Sequence, residues 1–369
     1  MSGQLARLIT EEIGRAGGWL SFARYMELAL YAPGLGYYMA GARKLGRDGD
    51  FVTAPEISRL FGRTLARQVR QFAELGFTDL LEIGAGSGAL AADLLLELER
   101  LGCAPRRYLI LELSPDLRNR SRDTLAARAP HLLERVAWLN RLPPAFTGIV
   151  IGNEVLDAMP ARVFRREGGR IAELGVAMRD GAFSWEPRAP APSPDAPDPS
   201  CFPAEGYRSE MQFVARAFVR SLGGALARGV ALFFDYGFPR HEYYHPQRAG
   251  GTLMCHYRHR AHDDPFFLPG LQDITTHLDF SAIAQASRQA GLDLLGYTNQ
   301  AQFLVNCGVT DVLAETPAGD LAAYAPLAGQ AQKLLSPAEM GEIFKVIAFG
   351  RDVTVPLLGF TQGDRLRTL

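Results

Sequence analysis

Three glycines and one acid mark the stretch best suited to chemistry. Glu82, Gly84, Gly86 and Gly88 lie within Leu80-Leu81-Glu82-Ile83-Gly84-Ala85-Gly86-Ser87-Gly88-Ala89-Leu90. This reads as a buried strand, a glycine turn and the start of a helix. Such a turn brings backbone N–H groups up to a ligand, and glycine keeps a Cβ out of the way. A second apolar run, residues 107–113, carries Glu112 near its end. An acid there can accept hydrogen bonds from both hydroxyls of an adenosine ribose. The implied ligand therefore contains adenosine. Residues 84–89 satisfy the loose dinucleotide fingerprint, so the turn alone leaves NAD and S-adenosylmethionine (SAM) both open. Glu82 favours SAM, because a carboxylate suits an ammonium or sulfonium group and is poorly placed beside a diphosphate.

Other polar groups fall at the ends of apolar runs. Residues 147–154 form a strand ending in Asn153 and Glu154, and Asp157 follows. If residues 154–157 make a helical turn, the two acids share a face and could hold a cationic substrate group. Residues 230–237 form another strand ending in an acid, Asp235. Before the glycine turn, a polar loop runs into Thr53-Ala54-Pro55-Glu56, where Pro55 and Glu56 suit the first turn of a helix. That loop is placed to close over a ligand. His256, His259 and His262 are spaced by three, which raises a metal reading. Offsets of three drift around a helix, however, and the interleaved arginines would repel a cation. A loop lining the substrate site is the reading preferred here.

These residues need a frame. Strands near 80, 109, 137, 150, 232, 294 and 346 alternate with helical segments. The pattern predicts an α/β fold with a mostly parallel, seven-stranded sheet covered on both faces. Ligands in such sheets sit beyond the carboxyl ends of the strands, where strand order reverses. The acids above all fall at that edge. Residues 1–76 are expected to form a helical N-terminal cap contributing to the cofactor site. Residues 77–369 then form the Rossmann-like domain, with insertions at about 161–208 and 238–278. Within these, 163–185 suggests a β-hairpin excursion and the proline-rich 187–203 an exposed loop. Residues 55–72 read as one helix. Residues 211–226 read as another, with Phe213, Val214, Ala217 and Phe218 inward.

Composition excludes some classes. A net charge of −1 gives no electrostatic case for nucleic acid as the main partner. No apolar run reaches membrane-spanning length. The four cysteines are far apart, with no Cys-x-x-Cys, which suggests reduced thiols. Glu11 and Glu12 argue against a transit peptide, so a cytoplasmic protein is expected.

Several segments together carry a family resemblance. Glu82 to Gly88 resembles motif I of class I SAM-dependent methyltransferases. Residues 25–38 (YMELALYAPGLGYY), 49–58 (GDFVTAPEIS), 81–88 (LEIGAGSG), 112–115 (ELSP) and 153–160 (NEVLDAMP) look like the MidA family. So do 235–237 (DYG), 251–258 (GTLMCHYR), 273–280 (DITTHLDF) and 344–346 (FKV). The resemblance spans nearly the whole chain. It implies a SAM-dependent class I methyltransferase fold and activity. Mitochondrial relatives are needed for respiratory complex I assembly, so the implied reaction is arginine N-methylation of a complex I subunit or similar protein.

The cofactor-binding residues expected are Asp50, Thr53, Glu82, Gly84, Gly86, Gly88, Glu112, Leu113 and Asn153. Glu154 and Asp157 are the expected catalytic acids, and no metal is expected. The partner is a protein substrate, with no nucleic acid and no membrane span; a homodimer is allowed. Two other classes stay open. One is an NAD-linked oxidoreductase. The other is a SAM-binding assembly factor or chaperone with little or no transferase activity.

Overall fold

The computed structural model describes residues 2–40, 53–192 and 196–369. The chain begins with α1 (Ser2–Arg15), β1 (Leu20–Ser21), α2 (Phe22–Tyr31), α3 (Ala54–Ile57) and α4 (Arg59–Glu74). Strands and helices then alternate: β2 (Asp79–Ile83), α5 (Ala89–Arg100), β3 (Arg107–Leu111), α6 (Pro115–Arg128), β4 (Val136–Leu139) and β5 (Phe146–Asn153). A first excursion forms β6 (Arg162–Glu167), β7 (Arg170–Arg179), β8 (Ala182–Arg188) and β9 (Arg208–Met211), and α7 (Phe213–Ala225) returns to β10 (Leu226–Phe238). A second holds α8 (Arg240–Tyr243), β11 (Met254–Tyr257), β12 (Arg260–His262), β13 (Asp273–Thr275) and β14 (Leu278–Asp279). The chain ends through α9 (Phe280–Gln289), β15 (Asp293–Asn299), α10 (Gln300–Asn306), α11 (Val309–Ala314), α12 (Leu321–Leu335) and β16 (Phe344–Arg351).

The main sheet runs β15-β16-β10-β5-β2-β3-β4, with β14 added beside the end of β10. Pairings from β10 through β4 are parallel. Only β16 runs against its neighbours β10 and β15. All seven strands expected from the apolar runs are present. Strand order reverses between β2 and β5, since β3 and β4 extend one way from β2 while β5 and β10 lie on the other side. A crevice therefore opens beyond Ile83 and Asn153.

Register explains why these strands read as continuous apolar runs. Leu80, Ile149 and Val230 lie side by side and join one core with Phe61, Leu65, Leu94 and Leu98. Leu81, Val150 and Ala231 are the next row and join the opposite core with Val219, Leu222 and Ile283. Successive side chains point to opposite faces, so a strand covered on both sides needs apolar residues at every position.

The N-terminal segment divides between two cores. Helix α4 packs in the core of the main sheet, through Leu60, Phe61, Leu65, Val69 and Phe72. Helices α1 and α2 instead join Leu174 and Val176 of β7, Cys255 of β11 and Ile274 of β13 in a third core. Helices α1 and α2 thus share one core with strands of both excursions, while α4 belongs to the main sheet. The hairpin expected at 163–185 is part of a larger antiparallel sheet, in which β6 and β7 are joined by β1, β8 and β9.

Two local expectations need correction. The single helix over 55–72 is two helices, because Ser58 is extended (φ −158°, ψ 137°) and its hydroxyl accepts from the Leu60 N–H at 3.1 Å, starting α4 afresh. The inward face of α7 is Ala215, Arg216, Val219, Leu222 and Gly223; Val214 is 42% exposed. The periodicity was ambiguous because a second apolar surface of this helix faces the crevice.

Candidate active site

The crevice is a cavity of ≈ 860 Å³. The glycine turn forms its floor: Gly84, Ala85, Gly86 and Ser87 all line it. Gly84 has a φ of +67°, and a Cβ there would lie 3.1 Å from Val155 Cγ2. Glycine is therefore demanded twice over, by the left-handed backbone and by the close approach of the β5 loop. Gly88 has a different duty. It does not line the cavity; a Cβ there would be 2.8 Å from the Ser121 Cα, so it sets the contact between α5 and α6.

Three carboxylates surround the turn. Glu112 is 8% exposed and accepts from the Gly86 N–H at 3.2 Å and the Ser114 N–H at 2.9 Å. Burial raises its pKa against those backbone donors. Glu82 is 2% exposed and accepts from the Tyr108 hydroxyl at 2.6 Å. Burial pushes it up to about 7, the Tyr108 bond opposes this, and the Glu112 charge adds to it. Glu56 of α3 accepts from the Ser87 hydroxyl and lines the cavity too, which ties the short helix to the glycine turn.

Beyond β5 lies a second group of acids. Residues 154–157 form no helical turn. Glu154 has a left-handed backbone (φ +54°), and its N–H donates to the Phe234 carbonyl at 2.9 Å. Asp235, fully buried at the end of β10, accepts from the N–H groups of Val155 (3.2 Å), Leu156 (2.8 Å) and Tyr236 (2.9 Å). It clamps the loop that carries Glu154. Glu154 lines the cavity, and its carboxylate accepts from the Asn153 amide at 3.0 Å. Burial, then the nearby Asp235, push its pKa up to about 8. Asp235 itself is pushed up to about 7 by burial. Asp157 and Asp273 complete the group, 3% and 2% exposed. Burial and then the charges of Asp235, Glu154 and Asp273 raise Asp157 well above the usual carboxylate range. Among the described residues, no arginine or lysine pairs with Glu154 or Asp157.

The family model described as S-adenosyl-L-methionine-dependent methyltransferase matches residues 60–298. The chain belongs to this family. A COG1565 superfamily member from Burkholderia thailandensis, crystallised with S-adenosyl-homocysteine, is 53% identical, superposes with a TM-score of 0.96, and is matched over 100% of this chain and 97% of its own. The mouse mitochondrial protein arginine methyltransferase NDUFAF7 is 29% identical over 90% of this chain and 81% of the relative. Its Drosophila melanogaster homologue is 28% identical over 97% and 89%.

The methyltransferase uses SAM, and the donor half of its cavity fits that molecule. Glu56, Glu82 and Glu112 surround the glycine turn, and such a ring would repel a diphosphate but attract an ammonium and ribose hydroxyls. The Asn153 Oδ1 is buried without a partner among the described residues and lies in a residue that lines the cavity. The NAD reading is set aside on these grounds.

The structure brings Thr53, Glu82, Gly84, Gly86, Glu112, Leu113, Asn153 and Glu154 to one cavity. Leu113 is 66% exposed at its wall. Gly88 and Asp157 do not line the cavity, and Asp50 lies outside the described residues. His256 and His262 fall on opposite faces of the β11–β12 hairpin, because His262 is the cross-strand partner of Cys255 while His256 faces Ala261. His259 sits in the turn with a φ of +60°.

Sequence reasoning did not assign Tyr31, Tyr38, Asp273, Val214 or Phe218 to the site. Tyr31 and Tyr38 stood out only as members of the family-resembling segment 25–38, and the two apolar residues only as helix periodicity. Asp273 stood out only as the first residue of the family-resembling segment 273–280, with no role attached.

Proposed function

We propose that the methyltransferase N-methylates an arginine side chain of a protein partner, and that a respiratory complex I subunit is the first partner to test. The observation that carries this is Glu154: a carboxylate facing the donor cavity, backed by three buried acids, with no cation from the described residues. A guanidinium is always charged in proteins and presents N–H groups that match a carboxylate. The relatives named as protein arginine methyltransferases support the same acceptor.

When bound, SAM supplies an electrophilic methyl group on a sulfonium. The chain's residues do the rest by orientation and electrostatics. Glu154 accepts N–H bonds from the guanidinium and turns one nitrogen toward the glycine turn. As that nitrogen gains a methyl it must lose a proton, and the Glu154 carboxylate is placed to take it. A raised pKa suits that duty. Asn153 holds one Glu154 oxygen, and Asp235 fixes the loop beneath.

The test is transfer of labelled methyl from SAM into proteins of a cell lysate, followed by mapping of the modified residue. Arginine should carry the label, and Glu154→Gln should lower transfer about a hundredfold or more with SAM affinity unchanged. Label on another residue type, or unchanged transfer by the variant, defeats the proposal. A wild-type protein that binds SAM and labels nothing would instead be an assembly factor.

A further inference from the structure

Two tyrosines of the N-terminal segment line the same cavity as Glu154. The rings of Tyr31 and Tyr38 stack with centroids 5.5 Å apart and planes 23° from parallel. Each is held at its far end. The Tyr31 hydroxyl donates to the Ala158 carbonyl at 3.0 Å, one residue from Asp157. The Tyr38 hydroxyl donates to Asp273 Oδ1 at 3.0 Å. The Tyr38 carbonyl also accepts from the Ser114 hydroxyl at 2.6 Å, beside Glu112 on the donor side. The stack is thus fastened to both halves of the cavity.

We infer that the Tyr31–Tyr38 stack is the surface on which an acceptor guanidinium lies flat, and that it selects arginine over lysine; this rests on the arginine reading above. A guanidinium is planar and weakly hydrated on its faces, so it gains from an aromatic surface while its edge bonds a carboxylate. An ammonium is a strongly hydrated point charge and gains little from a flat slot. The acids supply the edge. Besides Glu154, Asp157 is 3% exposed and its Oδ1 has no hydrogen-bond partner among the described residues. Asp157 does not line the cavity; its charge acts on Glu154, the acid that bonds the edge. Burial raises the pKa of both tyrosines, so the rings stay neutral across the working range.

The experiment uses the full chain saturated with S-adenosyl-homocysteine, titrated by calorimetry with N-acetylarginine methylamide and N-acetyllysine methylamide. The wild type should bind the arginine probe about tenfold tighter than the lysine probe. Tyr31→Leu should bring the two affinities together, and Tyr31→Phe, which restores the ring without its hydroxyl, should restore the preference. S-adenosyl-homocysteine affinity reports whether each variant is folded. Should Tyr31→Leu not fold, Tyr38→Phe decides: it keeps the ring and should keep the preference, and its loss would assign selection to the hydroxyl and overturn the inference. A wild-type preference that survives in Tyr31→Leu also overturns it while sparing the arginine reading. Absence of binding by either probe to the wild type overturns both.

Discussion

Glu154 shows how much a single residue's chemistry depends on its surroundings. Its pKa is pushed up to about 8, and that of Asp235 to about 7. In the unfolded chain both titrate at about 4. Between about pH 4 and pH 8 the folded protein therefore holds more protons than the unfolded one, and its unfolding free energy falls as pH rises. Thermal unfolding of the ligand-free protein should show a midpoint that drops from pH 5 to pH 8. Glu154→Gln should flatten that drop; an identical slope in the variant would mean that Glu154 is not held protonated. Acceptor binding should run the other way and strengthen toward pH 8, because only ionised carboxylates hold a cation.

The elements that present these residues depend on small local devices. Ser58 ends α3 and starts α4, whose apolar face joins the core behind the glycine turn. Removing the cap with Ser58→Ala should cost about 1 kcal/mol in denaturant unfolding, with SAM affinity less affected because α4 stays anchored by Phe61, Leu65 and Phe72. Gly88 is a harder constraint. Its φ is +81° and its Cβ position is 2.8 Å from the Ser121 Cα. Gly88→Ala combines a strained backbone with overpacking, and a loss of about 1–3 kcal/mol is expected. A neutral result in equilibrium unfolding would show that α6 can move aside.

At the scale of the molecule, the two excursions and the N-terminal helices share one core, and that core places Tyr31, Tyr38 and Asp273 against the end of the main sheet. Among the described residues, the side chains around the glycine turn come from the sheet edge, the short α3 and the start of α6. Cofactor binding should therefore respond to Glu112 and not to the distant core. S-adenosyl-homocysteine at a hundredfold excess over its Kd should stabilise the wild type by about 2.7 kcal/mol, read as a raised midpoint in a thermal shift assay. NAD should give no shift. Glu112→Ala, which removes the acceptor of the Gly86 and Ser114 N–H groups, should abolish the S-adenosyl-homocysteine shift. An undiminished shift would remove Glu112 from the site.

Much of this protein was legible in its sequence because its main sheet is buried on both faces. Runs such as Leu80-Leu81 with Ile83, and Ile149-Val150-Ile151, put apolar side chains on both faces of the sheet, and a strand of that kind announces itself without knowledge of its neighbours. The glycine turn is equally local: left-handed backbone and close approach need glycine wherever they occur. The sequence thus determined the seven strands, the turn and the acids at their ends. It could not assign Gly88 to helix packing or bury Asp157 away from the cavity lining, because both depend on what the chain brings alongside. Nor could it join Tyr38 to Asp273, which are far apart in sequence. Their 3.0 Å hydrogen bond exists because the N-terminal helices and the second excursion bury their apolar faces on each other. Tertiary packing is not directional along the chain, so only the folded structure decided that Tyr31 and Tyr38 line the same cavity as the glycine turn.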